Sequence, residues 1–342
     1  MVTSIKGEAF SPCIAYTGTQ PVEYAAVPLT MYGSGADHLE SYTSMSALLE
    51  HFYAEKNTLT RIRQKSSDLR RIVQTALERD IKKYDLQLTQ MKDTEKREKY
   101  RIYGELLNTY GYSAKPGDRS LTAVNYYTNE PVTIPLDPTL SATENAKKYF
   151  DKYGKLKRTY EALSELTCQV KEEIDHLETI STALDIALKE EDLVEIKEEL
   201  TQSGYIRRKG GTKKAKITSR PFHYLSSDGF HIYVGKNNFQ NDELTFKFAT
   251  GNDWWFHAKG IPGSHVVVKT EGKELPDRTF EEAGRLAAYY SKGREQEKVE
   301  IDYVQKKQVK KPAGAKPGFV VYYTNYSLMI DSDISGIEKI SD

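Results

Sequence analysis

The chain has 342 residues, 49 of them basic and 49 acidic, so its formal net charge is zero. That length predicts two or three domains, and the charge balance leaves only the distribution of charge to speak about partners. The sequence has no apolar run of about eighteen residues, which predicts no membrane-spanning helix, and residues 1–20 lack the apolar core of a secretory signal. The two cysteines, Cys13 and Cys168, stand far apart. They predict a reducing, cytoplasmic setting rather than a disulfide framework, and both thiols read as small hydrophobes.

Residues 1–42 carry short apolar stretches, CIAY (13–16) and AAVPLTMY (25–32), broken by Gly and Pro. They predict two or three strands, too few to bury a core alone, and read as the tail of a truncated amino-terminal domain. Residues 43–110 turn helical, with Leu69, Val73, Leu77, Ile81, Tyr84, Leu88 and Met91 at three- and four-residue steps. The pattern breaks at Gly111 and again at Lys115-Pro116-Gly117-Asp118. Two strand segments follow, LTAVNYY and VTIPL, with Asn129-Glu130 placed to turn a hairpin. They define a small middle module at about 111–140.

A second helix opens on a capping box, Ser141 with Glu144, and Gly204 is placed to end it. Twelve of its positions alternate four and three apart: Tyr149, Tyr153, Leu156, Tyr160, Leu163, Thr167, Val170, Ile174, Leu177, Ser181, Leu184 and Leu188. A seam held that long predicts a coiled coil. It would reach roughly 58 Å at 1.5 Å per residue. Such an arm suits a protein that bridges distant points on something large. Residues 43–203 are thus expected to fold back as an antiparallel hairpin, pairing within the chain rather than between chains.

Residues 204–220 form a basic, glycine-containing linker. Residues 221–342 then show the short strand patterns FHYLSS, HIYVG, LTFKFA, DWWFHA, HVVVK, EIDYV, GFVVYY and SLMI. One helix interrupts them, opened by a second capping box, Thr279 with Glu282. It is expected to bury Phe280, Ala283, Leu286, Ala287 and Tyr290 and to end at Gly293. The fold class is α+β: a long coiled-coil hairpin, then a compact domain of mostly antiparallel strands with a covering helix.

Charge is uneven in this last part. Residues 204–342 hold 23 Lys and Arg against 17 Asp and Glu. One cluster is Arg207, Arg208, Lys209, Lys213, Lys214 and Lys216. The other is Lys306, Lys307, Lys310, Lys311 and Lys316. Cations at this density neutralise phosphates and release counterions, the main source of nucleic-acid affinity. If residues 306–311 are extended, Lys306 and Lys310 share one face and Lys307 and Lys311 the other.

A second constellation lies in NDWWFHAKGIPGSHVVV (252–268). On a strand, Asp253, Trp255 and His257 share a face opposite Trp254 and Phe256. Trp255, His257 and His265 are candidates for base or sugar contact. The structural alternative has Asp253 fixing a turn, one Trp filling the core and His265 beginning a strand. A hydrolytic reading with Asp253, His257 and Ser264 has no motif such as GxSxG behind it. The histidine spacing matches no usual metal site. The segment SSDGFHIYVGKNNFQND (226–242) has neither a P-loop nor a GxGxxG pattern. The sequence therefore predicts a binding protein rather than an enzyme, with no cofactor and no metal.

The stretches SSDGFHIYVGKNNFQND, NDWWFHAKGIPGSHVVV, LAAYYSK and DYVQKKQVKKPAGAKPG resemble the NFACT-R domain of the NFACT family, the RqcH-like and NEMF-like ribosome quality control factors. GELL (104–107), IPLDP (134–138) and ENAKKYFDKYGKLKR (144–158) are similar to that family's middle and coiled-coil region. The resemblance implies an NFACT-R domain at 221–342 that contacts RNA, and a coiled coil that reaches across a large ribosomal subunit. It implies large-subunit, rRNA and tRNA partners, and support of template-free alanine tailing of stalled chains. Family members begin with an NFACT-N domain and a helix-hairpin-helix segment, and on the resemblance the chain is expected to lack both. The chain is therefore expected not to select tRNA by itself. Bacterial members also carry the label fibronectin-binding protein, so the alternative is a fibronectin-binding adhesin with some cell-surface exposure.

Overall fold

The computed structural model describes residues 10–17, 20–32, 37–208 and 218–340. The chain divides into two compact units, Met1–Ala76 with Asp175–Asp342, and Leu77–Ile174. Among the described residues no helix is long and apolar enough to cross a membrane.

Strands β1 (Cys13–Thr17), β2 (Gln20–Ala25) and β3 (Asp37–Ser41) form an antiparallel sheet in the order β2-β1-β3. Three strands cannot enclose a core, and these borrow one: Ile14 and Tyr16 pack on Leu48 and Phe52 of helix α1 (Met45–Asp93). Of the expected strand AAVPLTMY only Ala25 lies in a strand. Pro28 has no N–H to give a ladder.

Helix α1 buries Ile62, Ser66, Leu69, Val73 and Ala76. Beyond Val73 the buried line departs from the sequence reading. Asp80 and Gln87 are buried, whereas Ile81 and Leu88 are 43% and 42% exposed. Two helical stripes leave Val73, one stepping three and four through Ala76 and Asp80, the other four and four through Leu77 and Ile81. Apolar content favours the second, and partner geometry selects the first. The buried Asp80 carboxylate is met by Arg79, at 2.8 and 3.1 Å. A short 3₁₀ turn at Thr94–Lys96 separates α1 from α2 (Arg97–Tyr110).

Strands β4 (Ser120–Asn125) and β5 (Glu130–Pro135) make the expected hairpin, with Leu121 opposite Ile134. Its turn ends on Asn129 at φ 59°, a conformation that a short amide side chain tolerates. Tyr103, Leu106, Leu107, Leu121, Ile134 and Ala146 form the core of this unit. A Cβ at Gly104 would stand 2.8 Å from the Phe150 ring, so the glycine permits that close approach.

Helix α3 (Ala142–Ile186) starts as its sequence predicts: the Ser141 N–H donates to Glu144 Oε2 at 2.8 Å, and the Glu144 N–H to Ser141 Oγ at 3.3 Å. Every seam position from Tyr149 to Leu184 is buried or half-buried. Contacts within each unit run antiparallel. Arg70 meets Leu184 and Asp185 in the first; Met91 meets Thr167, and Arg97 covers Tyr160, in the second. The helix expected to continue to Gly204 instead stops at Ile186 and restarts as α4 (Glu190–Gln202). Asp192 causes the restart by accepting from the Leu188 and Lys189 N–H groups at 3.1 and 3.0 Å. Gly204, at φ 82°, does follow the end of α4.

The remaining elements are β6 (Phe222–Leu225), β7 (His231–Val234), α5 (Asn238–Glu243), β8 (Trp254–Ala258), β9 (Val266–Val268), α6 (Asp277–Tyr289), β10 (Val299–Gln305), β11 (Val309–Lys310), β12 (Val321–Tyr322), β13 (Tyr326–Ile330) and β14 (Glu338–Lys339). Seven strands form one antiparallel sheet in the order β13-β10-β8-β9-β7-β6-β14. Helix α6 covers one face with Ala283, Leu286 and Ala287, backed by Phe280. The other face buries Trp255, Val267 and Val304 beneath Leu244, Ala249 and Val309.

Two expectations fail here. LTFKFA is no strand; it is a wide helical turn, Leu244–Phe248, continuing α5. Nor do Thr279 and Glu282 form a capping box, because α6 starts earlier, at Asp277. Thr279 Oγ1 instead donates to Asp228 Oδ2 at 2.7 Å, and Glu282 accepts from the Ser227 N–H at 2.8 Å. Both side chains hold the β6–β7 turn.

Candidate nucleic-acid interface

Of the residues that look most like a site in sequence, Trp255, His265, Asp253 and Ser264 are buried and His257 is half-buried. Trp255 is wholly buried, its ring stacked 5.6 Å from His257 and 5.0 Å from the edge of His265. Strand alternation aims it at the face away from α6, while Trp254 and Phe256 pack toward Phe280. Burial pushes the His257 imidazole down to about 4. His265 is driven down as well, first by burial and then by His257. Both rings are therefore neutral at pH 7 and present no cation to a phosphate. His265 Nδ1 lies 2.7 Å from Thr245 Oγ1 and 3.2 Å from the Asn241 carbonyl oxygen, fixing the ring under α5.

Asp253 is also structural. It accepts from the Thr250 and Thr270 N–H groups at 2.7 and 3.0 Å and from Lys269 Nζ at 2.5 Å. These bonds hold its carboxyl below the usual range against the opposing effect of burial. Ser264 is buried, and its N–H donates to the Tyr290 carbonyl at 2.9 Å. Asp253 and Ser264 thus hold turns rather than present a nucleophile and its base.

The segment GKNNFQND is a clamp between α4 and this domain. Lys236 Nζ lies 3.3 Å from Asp192, Asn237 and Gln240 donate to Glu195 at 2.7 and 2.8 Å, and Asn238 donates to Glu199 at 2.7 Å. All of these side chains are buried. Buried charge is tolerated where it is paired and hydrogen-bonded.

The lysine run takes two roles. Lys306–Gln308 is a 3₁₀ turn, so the expected strand alternation does not hold. Lys307 and Lys310 are exposed. Lys306 Nζ sits 5.7 Å above the Phe246 ring. Lys311 turns inward to pair with Asp242 and reaches the Lys316 carbonyl at 3.2 Å, while Lys316 is half-buried. In the other cluster Arg207 is exposed and Arg208 pairs with Glu198 at 2.5 Å. Lys209, Lys213, Lys214 and Lys216 lie outside the described residues.

Sequence reasoning missed the surface beside Lys306. The turn Leu244–Phe248 projects Lys247 and leaves Phe248 41% exposed. Lys269 Nζ stands 4.9 Å over the Phe248 ring, and Tyr233 meets it edge-on at 4.7 Å. His223 stacks on Tyr233 at 4.3 Å. Lys307 abuts Gly251 on the same side, its N–H donating to the Gly251 carbonyl at 3.1 Å. Lysines ringing an exposed aromatic face can neutralise a phosphate and stack a base together. The alternation of LTFKFA hid this surface. The signal that could have found it is Asn237 followed by Gln240, a helix-start pair: the Gln240 N–H donates to Asn237 Oδ1 at 3.0 Å.

Residues 1–219 match the NFACT N-terminal and middle domains, and residues 220–323 match the NFACT protein RNA binding domain. The chain is 39% identical over 332 residues to the Rqc2 homolog RqcH of Streptococcus pneumoniae, covering 96% of this chain and 58% of that one. It is 37% identical over 304 residues to the Rqc2 homolog RqcH of Bacillus subtilis, covering 87% and 53%. The chain thus spans little more than half the length of these relatives. The solved structure of the C-terminal of the fibronectin/fibrinogen-binding protein from Streptococcus suis superposes with TM-score 0.66 at 37% identity, covering 82% of this chain and 100% of that one. With both domains matched in order along an α+β chain of this architecture, the protein belongs to the NFACT family.

Proposed function

We propose that this chain is the RNA-binding and large-ribosomal-subunit-binding part of a ribosome quality control factor, supporting template-free alanine tailing of stalled nascent chains. The observation that carries the reading is the exposed Phe248 with Lys269 over its ring, on a turn that also exposes Lys247 and holds Phe246 under Lys306, in a domain that matches an RNA-binding family. The partners are rRNA and tRNA in the cytoplasm. The chain's own role is binding rather than catalysis: Lys247, Lys306 and Lys307 hold phosphates, and Phe248 stacks an unpaired base. The relatives named RqcH support the quality-control assignment.

Co-sedimentation with isolated large ribosomal subunits over a salt series tests it. Binding that weakens as salt rises is the expected result. No co-sedimentation at low salt sinks the reading for this chain. The likeness to the fibronectin/fibrinogen-binding protein of S. suis favours a second reading, fibronectin binding. Saturable fibronectin binding that survives high salt, with none to ribosomes, would select it.

A further inference from the structure

The seven-stranded sheet ends on two unlike edges. β14 is two residues long, and both, Glu338 and Lys339, are charged and exposed. Short, charged edges resist further pairing. β13, Tyr-Ser-Leu-Met-Ile, has no charge, proline or glycine. It pairs with β10 on one side, and among the described residues no strand pairs on the other. A long contact from Asn325 Nδ2 to the Tyr326 carbonyl, 3.4 Å, touches its backbone.

The flanking sequence is as uncharged as the strand, and the two acids of β10 in register with it are engaged: Glu300, opposite Met329, pairs with Lys259 at 2.6 Å, and Asp302 accepts from Ser327 Oγ at 2.5 Å. No ionisable acid or base other than tyrosine occurs from Pro317 to Ile330. Within that run Phe319, Tyr323, Tyr326 and Met329 are 51%, 65%, 61% and 58% exposed. Among the described residues from 221 to 340, Phe248 alone joins them as an exposed large apolar side chain. Long, uncharged, apolar edges are templates for another strand.

We propose that β13 pairs antiparallel with β13 of a second copy of this chain, joining two sheets edge to edge. The strand is complementary to itself. A register centred on Leu328 sets Tyr326 opposite Ile330 on the α6 face and Ser327 opposite Met329 on the other. The first is an aromatic–β-branched pair, made twice by the two-fold symmetry. An edge bearing charge would repel its own copy; this one does not. The next acid in sequence, Asp331, is met by Arg285 at 3.4 Å and falls opposite Asn325 in this register.

Sedimentation velocity over a concentration series tests the pairing, with wild type, Met329→Lys and Tyr326→Lys. Met329 is exposed, so its variant is expected to keep both far-UV circular dichroism and the thermal midpoint; Tyr326 stacks on Tyr303 at 5.5 Å, so its variant is expected to keep the spectrum and melt somewhat lower. Wild type is expected to shift from monomer to dimer as concentration rises, and both variants to remain monomeric. Hydrogen exchange on wild type alone gives a second readout: the β13 amides are expected to slow with concentration. A wild type that is monomeric at every soluble concentration, with β13 exchange independent of concentration, overturns the proposal. So does a dimer that survives both substitutions. A monomer whose β13 edge instead captures an uncharged extended peptide overturns it too, because the partner is then a foreign segment.

Discussion

Two short regions of the C-terminal sheet domain make the instructive contrast. Residues 253–265 hold Trp255, His257, His265 and Asp253, the residue types that most often signal chemistry, and the fold spends them on packing and turns. Residues 246–248 hold Phe-Lys-Phe, an ordinary string, and the fold displays it among lysines. Both lie on the sheet face away from α6, so residue type is a weaker guide to function than whether a residue lands beneath the covering turn or on its outer surface.

Substitution in the interior should have the largest effect. Trp255→Ala is expected to cost about 3–5 kcal/mol of stability by chemical denaturation, as for other fully buried aromatics. Phe248→Ala is expected to cost about 1 kcal/mol, because it loses only the edge-on contact with Tyr233 and the Lys269 cation over its ring. Equal costs at the two positions would erase the contrast.

The pH dependence is the next effect in size. Folded His257 stays neutral down to about pH 4, whereas the unfolded chain takes up that proton near pH 6.5. The contribution is thus fully present above pH 6.5 and is lost as pH falls toward 4. A depression from that value to about 4 makes the loss about 3 kcal/mol. His257→Gln should flatten this part of a stability-against-pH curve, and an unchanged curve would show that the imidazole is protonated in the fold.

Binding variants sharpen the other half of the contrast. Phe248→Ala is expected to weaken single-stranded RNA binding by about 1–3 kcal/mol, the range for a lost base–aromatic stack. Glu at Lys306, Lys307 and Lys310 together should lower the slope of log affinity against log salt by about two, since each phosphate contact contributes about 0.7–0.9. Lys311→Glu should change that slope least of the run, because Lys311 already faces Asp242. An equal effect there would mean that the ion pair opens on RNA.

Much of the architecture was legible in the sequence. The Ser141–Glu144 box, the α3 seam, the β4–β5 hairpin and the strand alternation at Trp254–Trp255 all appear as read. These are local periodicities that neighbouring elements reinforce. What failed depended on contacts distant in sequence. Ile81 and Asp80 compete for one seam, and only the partner helix decides between them. The break after Ile186 depends on Asp192 capping a restart. Thr279 and Glu282 mimic a cap but bond a turn some fifty residues away. The lysine run was legible as charge, but not as divided between an exposed pair, a cation over Phe246 and an inward ion pair.

Whether RNA meets the Phe248 face rather than the Trp255–His257–His265 group is decided by crosslinking with photoactivatable single-stranded RNA, followed by peptide mapping. The expected result is crosslinks in residues 244–251 and 305–310, and none at Trp255, His257 or His265 in the folded protein. Crosslinks at Trp255, His257 or His265, with the Phe246–Phe248 surface unlabelled, would contradict it.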